Sequence, residues 1–219
     1  MLCCCWSAKG GSGTTVVTAS LGLELGERGA DVLLVDLAGD LPAVLAVETP
    51  GGGVSDWLLA PDELPADALE RLTVRVAPSI DLLPAGDRLD GPLPADRVAL
   101  LRDLLSASAR TVIVDLGTLG PDPSPLAAGL LDRAESAVLV TRACYLALRR
   151  VAIGRLRVDE VVLVEEPARA LQTRDVEDVV GAPVRVRVPL DPAVARAVDA
   201  GLLAGRRPRA LRRLAALVP

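Results

Sequence analysis

Lys9-Gly10-Gly11-Ser12-Gly13-Thr14-Thr15 stands between an apolar run at 2–6 and a helix-length pattern starting at 14, and the fold turns on these seven residues. Glycines at 10, 11 and 13 permit positive φ angles and a close approach of the backbone to a ligand. A strand, a glycine-rich turn and a helix in that order aim backbone amides and a helix N-terminus at one point, which is where an anion is held. Of the 24 basic residues 23 are arginine, and the single lysine opens this turn. An ammonium is a compact point charge and a guanidinium a wide planar fork, so the expected role of Lys9 is a phosphate contact.

Outward from the loop, short β-branched apolar runs recur at 2–6, 31–36, 111–115, 136–141, 160–164 and 183–188, and each reads as a buried strand. Helix-length patterns alternate with them at 14–27, 95–108, 144–156, 172–180 and 191–203. The alternation predicts an α/β fold, doubly wound, with a mostly parallel sheet and helices on both faces. The less regular stretch 49–94 reads as loops, a short helix around Trp57 and an extra strand or two near 73–76 and 80–83. Two of the main runs, Val32-Leu33-Leu34-Val35-Asp36 and Thr111-Val112-Ile113-Val114-Asp115, end in a carboxylate. In a parallel sheet those ends share an edge with the glycine loop, so Asp36 and Asp115 can both reach a phosphate-bound Mg²⁺.

Composition narrows the chemistry. With 219 residues, 51% of them hydrophobic, the chain can bury a large core in one domain, read as 1–204 followed by a basic tail at 205–219. The absence of histidine excludes histidine acid–base catalysis and histidine metal sites. Trp6, Trp57 and Tyr145 are the whole aromatic complement, too few for a stacking platform, so specific reading of nucleic acid is not expected. Cys3, Cys4 and Cys5 alternate between strand faces and cannot converge on one ion; with Cys144 they read as reduced thiols. No run reaches the ~18 apolar residues of a membrane span, and Met1 leads straight into a strand without a basic leader. The expected compartment is the cytoplasm, with any membrane contact peripheral at the inner face.

The loop, read KGGSGTT, resembles the KGGxGK[ST] loop of the MinD/ParA family of deviant Walker ATPases, and within it the CpaE-like branch linked to pilus localisation. The resemblance runs along most of the chain. Leu34 to Asp40 is similar to the family's second acidic motif, Val112 to Gly117 to its Walker B strand, and Val188-Pro189-Leu190-Asp191 to its late turn. It implies ATP and Mg²⁺ as cofactors, nucleotide contacts from Lys9, Gly10, Gly11, Ser12, Gly13, Thr14 and Thr15, metal contacts from Thr15, Asp36 and Asp115, and catalytic roles for Lys9 and Asp36. It also implies a nucleotide-dependent homodimer, in which the lysine at the position of Lys9 reaches the partner's phosphates, and protein partners of a pilus, partition or septum system.

Three departures qualify what the resemblance implies. Thr14 stands where the family has its phosphate-binding lysine, and one lost charged contact in a desolvated site costs about 2–5 kcal/mol, roughly 30- to several-thousand-fold in affinity. Ala38 stands where the family has a second aspartate, and Glu165-Glu166-Pro167 where relatives present an asparagine to adenine. The expectation is therefore a nucleotide-binding switch with weak or lost hydrolysis, with a pseudo-ATPase scaffold as the alternative. A dinucleotide-binding reading, with Asp36 on a ribose, is a third; it lacks the third glycine and leaves Lys9 and Asp115 idle. The tail carries five arginines and no acid, so the other 204 residues hold −10. On a helix Leu211, Leu214, Ala215 and Val218 share a face, which reads either as a weak peripheral membrane contact resembling the tail of MinD or as a terminal helix packed on the sheet.

Overall fold

The computed structural model describes residues 1–217 except 50, 62, 63, 66, 88–91 and 206, and leaves out the side chain of Ala215. Its strands are β1 (Leu2–Ser7), β2 (Val32–Asp36), β3 (Val74–Ala77), β4 (Ile80–Leu83), β5 (Thr111–Thr118), β6 (Ser136–Arg142), β7 (Glu160–Glu165) and β8 (Val184–Pro189). They form one sheet in the order β3-β4-β2-β5-β1-β6-β7-β8, parallel throughout except for the β3–β4 pair. The helices are α1 (Thr14–Glu27), α2 (Leu41–Leu45), α3 (Val54–Leu59), α4 (Ala95–Ser106), α5 (Pro125–Arg133), α6 (Tyr145–Gly154), α7 (Thr173–Val180) and α8 (Pro192–Asp199). Short 3₁₀ segments at Glu70–Leu72 and Arg209–Leu217 complete the described elements.

Alternate side chains of the central strands feed two cores, one on each face of the sheet. Cys4 and Trp6 of β1 pack with apolar side chains of α3, α4, α5, α6 and α7. Cys3 and Cys5 point the other way, among side chains of α1 and α2 and the terminal leucines. All four cysteines are free, as expected. Burial pushes the Cys4 thiol up; a hydrogen bond with Cys3 and burial do the same for Cys5, so neither is a ready nucleophile.

Two helices escape the period pattern. α5 carries a legible start, with the Ser124 hydroxyl accepting from the Ala127 amide and Pro125 at the first position. α2 is a five-residue turn held by Asp36, too short to show a period. The helix expected at 191–203 stops at Asp199, because Gly201 takes a left-handed φ of 65°.

The strand expected at 183–188 forms but is buried on one face only. β8 is a sheet edge: Val186 and Val188 point inward, while Arg185 and Arg187 stand in solvent against Glu160 and Glu165. Its inner face is covered by the C-terminal segment, which is a 3₁₀ helix and not an α-helix. At three residues per turn Leu211, Leu214 and Leu217 share the buried face, in place of the expected 211, 214, 215 and 218. Val218 and the side chain of Ala215 lie outside the described residues. Arg207, whose side chain is 4% exposed, fastens the tail to α1 through ion pairs with Glu24 and Glu27.

Candidate functional site

β1 sits between β5 and β6, so the chain leaves the sheet centre in opposite directions on either side of it. Such a reversal opens a crevice at the carboxyl ends of the strands. Register places Asp36 of β2 beside Asp115 of β5, and Asp115 beside Cys5 of β1, so both carboxylates lie level with a residue four positions before Lys9. The crevice holds a cavity of about 770 Å³ lined by Gly10 to Val16, by the loops after Asp36 and Asp115, and by α2 and the end of α8.

The loop is shaped by its own atoms. The Ser12 hydroxyl donates to the Lys9 carbonyl at 2.7 Å, which closes the turn. Gly11 and Gly13 take φ of 74° and 94°, conformations that a side chain strains. Gly13 then starts α1 with no side-chain cap. First-turn amides have no acceptor within a helix, and here Thr14, Thr15 and Val16 border the cavity. Fourteen residues of α1 stand behind that terminus, so its positive end also faces the cavity.

The two carboxylates, both fully buried, differ. Asp36 accepts from the amides of Ala38 (3.0 Å) and Gly39 (2.7 Å) through Oδ1 and from Leu41 (3.1 Å) through Oδ2. Burial still holds its carboxyl above the usual range, against the pull of those amides. Asp36 therefore pins the loop into α2, and its oxygens are already engaged. Asp115 accepts from the Gly117 amide through Oδ1 at 2.9 Å, while its buried Oδ2 has no hydrogen-bond partner. Burial raises its carboxyl to about 6, with the Thr15 hydroxyl and the Gly117 amide offsetting part of the rise. A buried anionic oxygen without a donor beside a threonine hydroxyl is a hard-oxygen pair that suits Mg²⁺.

Of the residues singled out from sequence, Gly10, Gly11, Ser12, Gly13, Thr14 and Thr15 come together around the cavity, with Asp115 and Asp36 behind them. Lys9 does not join them. It is half-exposed, its Nζ 3.5 Å from the Gly10 carbonyl oxygen, and it lies outside the cavity lining. The reason is its place before the turn that the Ser12 bond closes. Among the described residues lining the cavity the charged ones are Asp40 and Asp199, so no described cation lines it. Sequence reasoning missed Asp199 and Val198, which arrive from α8 without any local signal, and Gly117 and Thr118, which the glycine after Asp115 announces. At the position read for base contact, Glu165 pairs with Arg187 and Glu166 with Arg142 and Arg169. The hydrogen bond from Arg169, with Arg142 adding its charge, holds the Glu166 carboxyl below its usual range.

Residues 1–173 match the family model of the cellulose biosynthesis protein BcsQ. The chain belongs to the BcsQ family. No curated protein is significantly similar to it in sequence. Among solved structures, this BcsQ-family chain is similar to a ParA family ATPase from Chlorobium tepidum, with 23% identity over 97% of this chain and 94% of that one and a TM-score of 0.74. MinD from Pyrococcus horikoshii, solved with Mg-ADP, is 21% identical over 98% and 93% of the two chains with a TM-score of 0.76. McdA from Cyanothece, solved with ATP, is 18% identical over 98% and 93% with a TM-score of 0.66. The fold is that of the MinD/ParA P-loop NTPases.

Proposed function

We propose that the chain binds ATP with Mg²⁺ at the β1–α1 loop as a MinD/ParA-type switch, with hydrolysis weak or lost, and serves to position a cellulose-biosynthesis assembly. The observation that carries this reading is the uncapped start of α1 facing the cavity, with the unpartnered Asp115 Oδ2 behind it. The amides of residues 10–16 would hold the phosphates. Thr15 and Asp115 would hold Mg²⁺, which when bound neutralises phosphate charge. Asp36 shapes the loop that closes over the site and contributes no free oxygen to it. MinD solved with Mg-ADP and McdA solved with ATP support nucleotide as the ligand class.

Weak catalysis follows from what is missing. Thr14 offers no ammonium to the phosphates, no cation lines the cavity among the described residues, and Ala38 leaves that position without a carboxylate to orient water. Lys9, outside its own cavity, is available to a second copy, as the resemblance to the deviant Walker proteins implies for a nucleotide-dependent homodimer. The name of the matched family adds cellulose synthesis to the pilus, partition and septum systems. The same lack of a cation favours a second reading, a pseudo-ATPase scaffold. A ribose-binding role for Asp36 is not proposed, because its oxygens are buried and taken by three amides. Calorimetric titration with ATP and Mg²⁺, run on the native chain and on Thr14→Lys beside light scattering for a mass change, separates the two readings. Binding by the native chain supports the first reading, whereas binding by Thr14→Lys alone assigns the loss to the missing lysine and supports the scaffold. Binding by neither leaves the scaffold.

A further inference from the structure

A second cavity, of about 790 Å³, opens on the α4 and α5 side of the same loops. Its walls are mostly apolar, with Leu93, Val98, Leu116, Leu119 and Leu126 among them. Among the described residues that line it, the only cation is Arg102 of α4 and the only carboxylate is the exposed Asp87. The Nε of Arg102 is buried and has no hydrogen-bond partner. The next acid on α4, Asp103, is paired with Arg133 of α5 at 3.2 Å and leaves Arg102 alone.

A glycine on the neighbouring helix leaves room for that side chain. Arg102 lies against α5 at Gly129, where an added Cβ would come within 2.9 Å of Nη1 and 3.0 Å of Cδ. Any larger residue at 129 would push the side chain aside. Arg102 is half-buried and no described residue pairs with it, so its guanidinium is a cation open to an anionic ligand in an otherwise apolar cavity. The N-terminal turn of α5, Ser124 to Ala127, lines the same space and adds its positive end.

We propose that this cavity is a binding site for a small amphipathic monoanion, a carboxylate on an unbranched aliphatic body, with the head on Arg102 and the tail among the leucines. The volume falls within the roughly 300–1,000 Å³ of small-molecule sites. A carboxylate matches the guanidinium fork with two parallel hydrogen bonds. A neutral ligand could accept a hydrogen bond but would leave the guanidinium without a counter-charge, and a polyanion would bring surplus charge against leucine walls and Asp87. Leu37, Ala38 and Leu116 line both cavities, so the occupant touches the back of the loops that shape the first one. The inference does not rest on the nucleotide reading.

The test is calorimetric titration of the full chain with octanoate, octanol and octyl phosphate. Octanoate should saturate in the submillimolar range and octanol should bind at least about 10-fold more weakly. Arg102→Gln should lose about 10-fold or more for octanoate with thermal stability retained, and Arg102→Lys should recover part of it. Ala99→Leu, which fills the cavity without altering the guanidinium, should abolish binding and guards against a folding defect in the arginine variants. Absence of saturable octanoate binding, equal affinity for octanol, or an unaffected Arg102→Gln overturns the site. Tighter binding of octyl phosphate than of octanoate overturns the carboxylate assignment.

Discussion

Replacing Asp115 with asparagine should remove a pH-dependent penalty that the native chain carries. The carboxyl titrates near 6 in the fold against a reference of 3.8, because burial disfavours its charge. The native state thus holds the proton more tightly than the unfolded chain, and the stability this contributes is complete below the unfolded value and lost as pH rises through about 6. At 1.36 kcal/mol per pKa unit the total is about 3 kcal/mol, of which about 2 kcal/mol falls between pH 4 and pH 7. Asp36, also raised, acts with the same sign, and Glu166, lowered, with the opposite one. Both titrate in either variant, so the difference between native and Asp115→Asn reads Asp115 together with its coupling to Asp36. Urea denaturation with chelator present, repeated from pH 4 to 8, should show the variant gaining about 2 kcal/mol relative to the native chain across that window. Added Mg²⁺ at pH 7 should then stabilise the native chain and not the variant. Curves that run parallel within about 0.5 kcal/mol across the range would refute the argument that burial sets the state of Asp115.

Thr14→Lys should tighten Mg-ATP binding by about 30-fold or more, read by calorimetry; an unchanged affinity would mean that the missing lysine is not what limits the site. Leu214→Ala should cost about 2–5 kcal/mol in urea denaturation, because the side chain is fully buried in the core beside α1; a loss under about 0.5 kcal/mol would mean that the tail is not packed there. For the same reason the full chain should stay in the supernatant when spun with anionic vesicles, and saturable sedimentation would show that the terminal leucines leave the body. Gly53→Ala should be strongly damaging, since Gly53 is buried and its Cβ would fall 2.2 Å from the Pro84 carbonyl oxygen; a thermal midpoint within about 2 °C of native would contradict that contact.

Features set by local chemistry were legible in the chain itself. A glycine-rich turn between an apolar run and a helix pattern announces a phosphate-type loop, because close backbone approach and positive φ need glycine wherever they occur. Alternating strand and helix periods announce a parallel doubly wound sheet, and three consecutive cysteines in a strand must divide between its faces. Ser124-Pro125 carried the start of α5 in plain view, whereas α2 is too short for any period to register.

Other features depend on what long-range packing leaves over. The order of Asp36 and Asp115 at strand ends is a sequence fact; that amides of the following loop consume the first and strand a buried oxygen on the second is decided only when strands and loops meet. Lys9 reads as a phosphate contact until the turn closes and leaves it outside the cavity, while Asp199 enters from more than 180 residues away. The terminal leucines are apolar in any conformation, but the face they share follows from the 3₁₀ pitch that lets them reach α1 and β8. Sequence thus determined which groups could act, since their chemistry is intrinsic, and tertiary structure decided which of them are already satisfied, since a hydrogen bond made within the fold is one no longer open to a ligand.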